Sequence, residues 1–474
     1  MSSAQVSIGN PANHISDKQG DNTPTQSTSP ASSVHPRKGS PVSRYSSEKL
    51  PTNSLFVTSV GPANSSTLDL ARTHGATRYF RSRRIKKEQI EKPWLKDGKD
   101  RKQKWQTLIP MMGMFLGIVI GAYMVYDGWT SVPEHEYCIV LEDDFSSGSL
   151  DESIWTKEAE VGGFGNGEFE ETTVTDENVY ITDGMLTIKP TLQDENLIDH
   201  NAVLNLTEQG ICATDIRSDC VSVTNTTNRT IIPPTRSGRI NTKKKAQIKY
   251  GRVEVVAKFP KGDWLWPAIW MLPVENTYGQ WPLSGEIDVA ESRGNNHTYH
   301  LGGNNVISST IHWGPDLAND AWWRTYGKTD ALMATFADSF HTFGLEWSER
   351  YIYMYLDSRL LQVMYTEFSK PLWGRGRFPL VDQNGTTFHD PWTQTGNPST
   401  PFDQDFYLIL NIAVGGTNGW FQDGLAGKPW VDGSPTAKLD FWKAKDKWYP
   451  TWTDPTMQVK SVRMWQQKGY NGCR

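Results

Sequence analysis

The apolar segment SGEIDVAES contains three carboxylic acids within a span of six residues: Glu286, Asp288 and Glu291. Acids are poor strand formers, so this density calls for a reason. Two carboxyl groups about 5 to 5.5 Å apart provide the nucleophile and the acid/base of a retaining glycoside cleavage. The alternative is a solvent-facing strand whose acids pair with Lys or Arg on a neighbour. The six-residue pattern alone leaves both interpretations open.

The same segment predicts a strand with an irregularity. On a regular strand Glu286 and Asp288 point to one face and Glu291 to the other, because side chains alternate. A β-bulge near Val289 and Ala290 would return Glu291 to the face of the other two acids. Crowding of like charges would then help to keep one carboxyl protonated near neutral pH.

Aromatic residues accompany the acids. The chain has 20 Trp residues, most of them after residue 260, and the run GDWLWPAIWMLP directly precedes the acidic segment. Indole faces stack on the apolar faces of sugar rings, which makes Trp common in sugar-binding clefts. Core packing accounts for half of these Trp residues or more. The net charge of -5 gives no basic field of the kind that attracts nucleic acid.

The sequence on both sides of the acids predicts antiparallel β structure. Short runs of β-formers alternate with period two and are separated by Gly, Pro, Asn and Asp; they include VYITDGMLTIKP, YGRVEVVAKF, RYIYMYLD and FYLILNIAV. Helical periodicity is scarce, and its best candidate lies at residues 330 to 340. With no internal repeat, a two-sheet sandwich over residues 138–474 is favoured over a propeller or barrel.

The runs YGRVEVVAKFPKGDWLWPAIWMLP and WPLSGEIDVAESRGN resemble glycoside hydrolase family 16. They are most similar to laminarinase-type endo-β-1,3-glucanases and to invertebrate β-glucan recognition proteins. Weaker similarity extends over residues 140 to 470 through SSTIHWG, FHTFGLEWSERYIYMYLD and FYLILNIAVGG. The resemblance implies an all-β fold, a two-sheet antiparallel β-jelly-roll sandwich with a concave glucan cleft. Residues 194–234 resemble an insertion of the invertebrate subgroup.

Carried over to this chain, the family pattern implies that Glu286 is the nucleophile, Asp288 its assisting acid and Glu291 the general acid/base. The implied activity is hydrolysis of β-1,3-glucan, or of mixed β-1,3/1,4-glucan, with retention of configuration. Two alternatives stay open: a transglycosylase that remodels cell wall, and a non-catalytic β-glucan receptor, although recognition proteins of this fold typically lack one or both glutamates. The expected sugar-binding residues are Trp266, Trp270, Trp281, Arg252, Asn166 and His312.

The N-terminal part is organised differently. Residues 1–106 form a polar and then basic segment, expected to be a disordered cytosolic tail. Residues 107–126, TLIPMMGMFLGIVIGAYMVY, carry no charge and match the thickness of a bilayer. Cationic residues precede this segment and acids follow it, so the positive-inside rule predicts a type II single-pass protein of the secretory pathway or plasma membrane. Residues 127–137 form a linker to the lumenal or extracellular domain.

Cysteines and glycosylation sequons agree with that topology. All four cysteines follow the apolar segment, which suggests an oxidising compartment. Cys212 and Cys220 could close a short loop, and Cys138 and Cys473 could join the ends of the domain. Sequons beyond the segment lie at Asn205, Asn225, Asn228, Asn296 and Asn384.

No cofactor is expected. No C-x-x-C pattern occurs and the His residues do not cluster with the cysteines, which argues against zinc. The resemblance makes a structural calcium conceivable, with Glu142, Asp143 and Asp144 as ligands, but no calcium-loop pattern is present.

Overall fold

The computed structural model describes residues 85–95, 101–131, 134–382 and 384–474. The chain divides into two units, residues 1–100 and 101–474. Most of the predicted tail, residues 1–84 and 96–100, lies outside the described residues. Within the first unit, the described part contains two single 3-10 turns, Lys87–Gln89 and Pro93–Leu95.

Helices are few in the second unit. They are α1 Arg101–Ser131, α2 Glu195–Asp199, α3 Arg217–Cys220, α4 Leu372–Gly376, α5 Ala437–Lys443 and α6 Lys445–Trp448. Single 3-10 turns occur at Leu317–Asn319, Trp322–Arg324, Thr393–Thr395 and Tyr449–Thr451.

Helix α1 contains the predicted membrane segment. It runs for 31 residues, and every side chain described along it is exposed. Its stretch Lys104–Gly128 is 25 residues long and apolar, which corresponds to about 37 Å at the rise of a helix. Length and composition therefore permit this helix to cross a membrane.

Strands dominate the rest of the unit. In chain order they are β1 Tyr137–Asp143, β2 Thr156–Lys157, β3 Glu170–Thr172, β4 Val179–Thr182, β5 Met185–Ile188, β6 Thr191–Leu192, β7 Ala202–Asn205, β8 Val221–Thr224, β9 Thr235–Ser237, β10 Arg239–Asn241, β11 Gln247–Ile248, β12 Gly251–Lys258, β13 Leu265–Pro273, β14 Glu286–Ser292, β15 Val306–His312, β16 Tyr326–Asp330, β17 His341–Trp347, β18 Tyr351–Leu356, β19 Gln362–Glu367, β20 Phe406–Val414 and β21 Met457–Gln467. The four β runs noted in the sequence all form strands.

Two large antiparallel sheets organise these strands. Sheet A has the order β19-β18-β17-β12-β21-β5-β4, with β1 also paired to β21. Sheet B has the order β16-β15-β14-β13-β20-β10-β2, with β11 also paired to β20. The prediction of an all-β fold built on two antiparallel sheets is confirmed.

The core lies between the two sheets. Along β12 of sheet A, buried and half-buried residues alternate, as period two requires. Val253 and Val255 of this strand share one hydrophobic cluster with Ile269 and Ile287 of sheet B. The apolar faces of the two sheets therefore pack on each other, and their opposite faces remain available for polar side chains.

Residues 194–234 add a small subdomain to the sandwich. It contains α2, α3 and the antiparallel hairpin β7–β8, and the disulfide Cys212–Cys220 lies within it. A second disulfide, Cys138–Cys473, joins β1 to the segment after β21. Both pairings agree with the expectation from the sequence.

The helix expected at residues 330 to 340 is not formed. Asp330 ends β16, and the following residues make bends and turns before β17. Phe336 of this segment is buried against Phe343, and its backbone N–H donates to Asn304 O at 2.8 Å. Anchoring one aromatic ring in the core outweighs the helical preference of the short ALMATF run.

Candidate active site

Strand β14 of sheet B carries the three acids, and it is bulged where the sequence predicts. Asp288 and Glu291 are three residues apart, but their partners on β13, Trp270 and Ala268, are two apart. The register on β15 shifts at the same place. The extra residue resets the side-chain alternation. Ile287 points into the core, so Asp288 and Glu291 both point away from it.

Glu291 is held by a tryptophan. The Trp266 indole N–H donates to Glu291 Oε1 at 2.8 Å, and only 9% of Glu291 is exposed. Burial, with the negative charge of Asp288 as the next cause, raises the pKa of Glu291 to about 8. Glu291 is therefore mainly protonated at neutral pH and can donate a proton.

The Trp266 ring that holds Glu291 is itself stacked on another tryptophan. The ring of Trp420 is parallel to that of Trp266, with centroids 4.7 Å apart. The Arg293 guanidinium lies 3.8 Å from the Trp420 ring centroid and donates two hydrogen bonds to Trp420 O, at 2.9 and 3.1 Å. Arg293, Trp420 and Trp266 thus form a rigid support behind the carboxyl group of Glu291.

Glu286 has a different environment. The Trp281 indole N–H donates to Glu286 Oε2 at 2.9 Å, and Trp281 is 38% exposed. Burial and the charge of Asp288 raise the pKa of Glu286 well above its ordinary value, whereas the charge of His312 acts in the opposite direction. The indole donor and the imidazole act against this rise in the pKa of Glu286, and both favour the ionised carboxylate that a nucleophile needs.

His312 connects the acids to a loop. Its Nε2 atom lies 3.2 Å from Asp288 Oδ2 and 3.9 Å from Glu286 Oε1, and its Nδ1 atom is hydrogen-bonded to Asp320. Burial alone would lower the pKa of His312, but the hydrogen bonds to Asp288 and Asp320 outweigh it and raise the pKa well above its usual value. His312 is therefore a cation within the acidic cluster at neutral pH.

Comparisons with known proteins show the family of this chain. The sequence profile of Glycosyl hydrolases family 16 matches residues 190–383. The "Beta-1,3-glucan-binding protein" of Penaeus monodon is 40% identical over 349 residues, which cover 70% of this chain and 91% of that protein. The chain belongs to glycosyl hydrolase family 16.

Other relatives of this family 16 chain include both binding proteins and enzymes. The "Gram-negative bacteria-binding protein 1" of Drosophila melanogaster is 31% identical, over 69% of this chain and 64% of that protein. The "Glucan endo-1,3-beta-glucosidase A1" of Niallia circulans is 33% identical, over 59% of this chain but only 34% of the enzyme. Among solved structures, the laminarinase from Rhodothermus marinus aligns with a TM-score of 0.44 and 25% identity, covering 71% of this chain and 99% of that one.

Two further residues expected to bind sugar in this family 16 chain lie near sheet B. Trp270 is on β13 opposite Asp288, and its indole N–H donates to Asn411 Oδ1 at 2.8 Å. Asn166 lies in a turn, where its Nδ2 atom donates to Glu168 and its Oδ1 atom accepts a hydrogen bond from Asn418. The structure therefore brings Trp266, Trp281 and His312 onto the acids, and it places Trp270 on a neighbouring strand of the same sheet.

The expectation that Arg252 binds sugar at this site is wrong. Arg252 is on β12 of sheet A, next in sequence to the fully buried Val253, so its side chain points out of the opposite sheet. There it forms an ion pair with Glu254 and donates a hydrogen bond to Tyr355 at 3.0 Å. The alternation in the YGRVEV run indicates that Arg252 points away from the core. Only the order of the strands shows that it points out of sheet A and not out of sheet B.

The sequence did not reveal Arg239, a cation on the same sheet as the acids. Arg239 is on β10 and forms an ion pair with Glu158. Its guanidinium lies 4.8 Å from the Trp270 ring centroid and 4.0 Å from that of Phe164. The strand has only three residues and no recognisable pattern, so nothing in the sequence distinguished this arginine from the others.

Metal binding has limited support in the described part of the chain. The ligand atoms of Glu286, Asp288 and His312 lie within 4.8 Å of one another, and no other described residues form such a group. The conceivable calcium ligands bond to protein groups instead: Glu142 pairs with Arg463, Asp143 accepts from Trp155 at 2.9 Å, and Asp144 accepts from Ser146.

Proposed function

We propose that this chain hydrolyses β-1,3-glucan, or mixed β-1,3/1,4-glucan, by a retaining double displacement. The observation that carries the proposal is the bulge in β14, which places the three acids on one face of the strand. Different partners hold the two glutamates: Glu291 is bonded to Trp266 and Glu286 to Trp281. This asymmetry supports separate roles for the two glutamates.

In the first step, protonated Glu291 gives its proton to the glycosidic oxygen as the bond to the leaving sugar breaks. The Glu286 carboxylate attacks the anomeric carbon and forms a covalent glycosyl ester. In the second step, Glu291 removes a proton from water, which attacks the same carbon and releases Glu286. Two inversions give net retention. No cofactor takes part in either step.

Asp288 and His312 act as positioning residues in this scheme. Asp288 lies between the two glutamates in sequence and contacts His312, so its negative charge is balanced by the imidazolium. The same imidazolium lies 3.9 Å from Glu286, where it favours the carboxylate before attack. As the ester forms, Glu286 loses its charge, and the His312 imidazolium remains between Asp288 and Asp320.

The outer face of sheet B is the proposed concave glucan cleft. Trp281 offers an exposed ring next to Glu286, and Trp270 with Arg239 continues the polar and aromatic surface across β13 and β10. Asn166 lies beyond them in a turn bonded to Asn418. Stacking on rings and hydrogen bonds to hydroxyl groups are the contacts that a neutral glucan needs.

A second candidate is glucan binding without turnover, and the names of relatives favour it. Several similar proteins, including the one from Penaeus monodon, are called β-1,3-glucan-binding proteins. The complete set Glu286, Asp288 and Glu291 supports the enzyme instead, because binding alone does not require a buried carboxyl with a pKa of about 8.

The test is incubation of the purified full chain, in a nonionic detergent, with a β-1,3-glucan oligosaccharide, and measurement of product masses. We expect shorter products from the wild type and none from Glu286→Gln. Additional longer products would indicate transglycosylation through the same ester. Absence of products from both proteins, with retained glucan binding, would reject hydrolysis and leave the receptor.

We also propose that α1 anchors the protein as a type II membrane protein. The exposed apolar surface of Lys104–Gly128 and the basic residues before it support this topology. The five asparagines of the C-terminal sequons are all at least partly exposed. Expression in a glycosylating cell should give mobility shifts that Asn→Gln changes at these sites remove. The sequon at Asn64, on the cytosolic side, is the internal control: its modification would contradict the orientation.

A further inference from the structure

A cavity of about 790 Å3 lies outside the acidic cluster. Four cationic and two aromatic side chains contribute to its wall, and the described residues that line it include no acid. They are Trp323, Arg324, Lys370, Trp373, Arg375 and Arg377. A wall with four cations and no described acid, in a chain of net charge -5, makes this cavity a candidate site for an anionic ligand.

No described acid forms an ion pair with these cations; Glu367 favours the charge of Arg375 without pairing with it, and the Arg324 guanidinium lies 4.1 Å from the Trp323 ring centroid. Within the described part of the chain, Arg324, Lys370 and Arg377 form no ion pair and no side-chain hydrogen bond. The Nε atom of Arg324 is buried and has no acceptor. Arg375 donates to Glu367 O and to Thr366 Oγ1, which are uncharged acceptors.

Arg324 is close enough to Arg375 to disfavour the charge of Arg375. Burial lowers the pKa of Arg375, and the charge of Arg324 is the next cause. A buried donor without an acceptor is destabilising, and like charges brought together add to that effect. An anion in the cavity would offset the repulsion between the two cations, which a neutral ligand would not do.

The cavity is connected to the acidic cluster through one loop. Asp320, which holds His312, also accepts a hydrogen bond from the backbone N–H of Trp322 at 3.2 Å. Trp322 begins the 3-10 turn Trp322–Arg324, which contributes Trp323 and Arg324 to the cavity wall. The same short loop therefore holds His312 of the acidic cluster and contributes two residues to the cavity wall.

We infer that this cavity binds an anionic substituent, a sulfate, phosphate or carboxylate group, on a saccharide chain that also occupies the acidic cluster. Arg324 and Arg375 supply planar donors for the oxygens of the anion. The rings of Trp323 and Trp373 supply surfaces for the sugar that carries it. The saccharide carrier rests on the proposed function, whereas the preference for an anion rests on the cavity alone.

The experiment compares a sulfated β-1,3-glucan oligosaccharide with a neutral one of equal length, by titration calorimetry on the full chain in nonionic detergent. The test variant is R324Q/K370Q, because neither side chain donates a hydrogen bond within the described structure and Arg375 keeps its own. The control is K460Q/R463Q on the outer face of β21 in sheet A. It removes the same charge from another surface.

We expect the wild type to bind the sulfated glucan more tightly than the neutral one. R324Q/K370Q should bind the sulfated glucan on the order of tenfold more weakly than the wild type does. Neutral glucan affinity should not change, and K460Q/R463Q should behave as the wild type. Equal losses in the control would show a general charge effect and overturn the site. Unchanged affinity in R324Q/K370Q would do the same.

Two competition measurements identify the kind of molecule that carries the anionic group. If inorganic sulfate displaces the sulfated glucan as well as unlabelled sulfated glucan does, the ligand is not a saccharide. Stronger displacement by phosphatidylserine vesicles, dependent on Arg324 and Lys370, would also overturn a saccharide ligand. Turnover of neutral glucan is measured on the same samples. Its absence would reject hydrolysis but would leave the sulfate preference intact, so the two proposals fail separately.

Discussion

Replacing Glu291 with Gln should make the protein more stable at neutral pH while removing its activity. Glu291 is almost fully buried, and folding raises its pKa from 4.5 to about 8. Between these two values, the unfolded chain has released a proton that the folded protein still holds. The free energy of unfolding therefore falls as the pH rises from 4.5 to about 8. Above that pH, Glu291 is ionised in both states and the stability it gave at acid pH is fully lost.

The magnitude follows from the same two values. Each pKa unit corresponds to about 1.4 kcal/mol, so at pH 7 the buried carboxyl makes the wild type less stable than a non-titrating equivalent by on the order of 3 kcal/mol. Below pH 4.5 the two should be equally stable. Gln has the shape of the protonated acid, and its carbonyl can accept the Trp266 N–H.

The assay is denaturant unfolding of the full chain and of E291Q at pH 4.5, 7 and 8.5, followed by tryptophan fluorescence. We expect equal midpoints at the lowest pH and a growing advantage for E291Q above it. E152Q is the control for losing one exposed carboxyl, and it should show no such advantage. A constant difference across the three pH values, or lower stability of E291Q at pH 7, would refute the argument from burial.

Three further predictions concern the partners of the acids and the disulfides. His312→Asn removes the cation that lowers the pKa of Glu286, so the acidic limb of the pH–rate profile should move up by about one pH unit; an unchanged limb would contradict this role. Trp266→Phe keeps an aromatic ring but removes the N–H that lowers the pKa of Glu291, so the alkaline limb should move up by about one pH unit. C138S/C473S opens a link spanning 335 residues, and C212S/C220S one spanning 8; by chain entropy the first should cost about 3 kcal/mol more stability in thermal unfolding.

The sequence was most informative where local pattern and chemistry coincide. Alternation alone required a bulge near Val289 if the acids were to share a face, and the register of β14 contains one. Arg252 shows the limit of this reasoning. Alternation predicts correctly that it points outward, but sheet membership depends on pairing between β12 and β17, strands 90 residues apart in the chain.

Other features depended on long-range contacts that no short motif encodes. Arg239 meets Trp270 only because β10 and β13 both pair with β20. Asp320 reaches His312 because the loop after β15 folds back on the strand end. The expected helix at residues 330 to 340 failed for the same reason: a buried Phe336, rather than local propensity, determines its backbone.

The central claim is retention of configuration through an ester on Glu286. The most direct measurement is proton NMR of the first products released from a β-1,3-glucan oligosaccharide, recorded before the anomers equilibrate. We expect the β-anomer to appear first and the α-anomer to follow by mutarotation, with no signal from Glu286→Gln. The α-anomer as the first product, or equal turnover by Glu286→Gln, would contradict the mechanism.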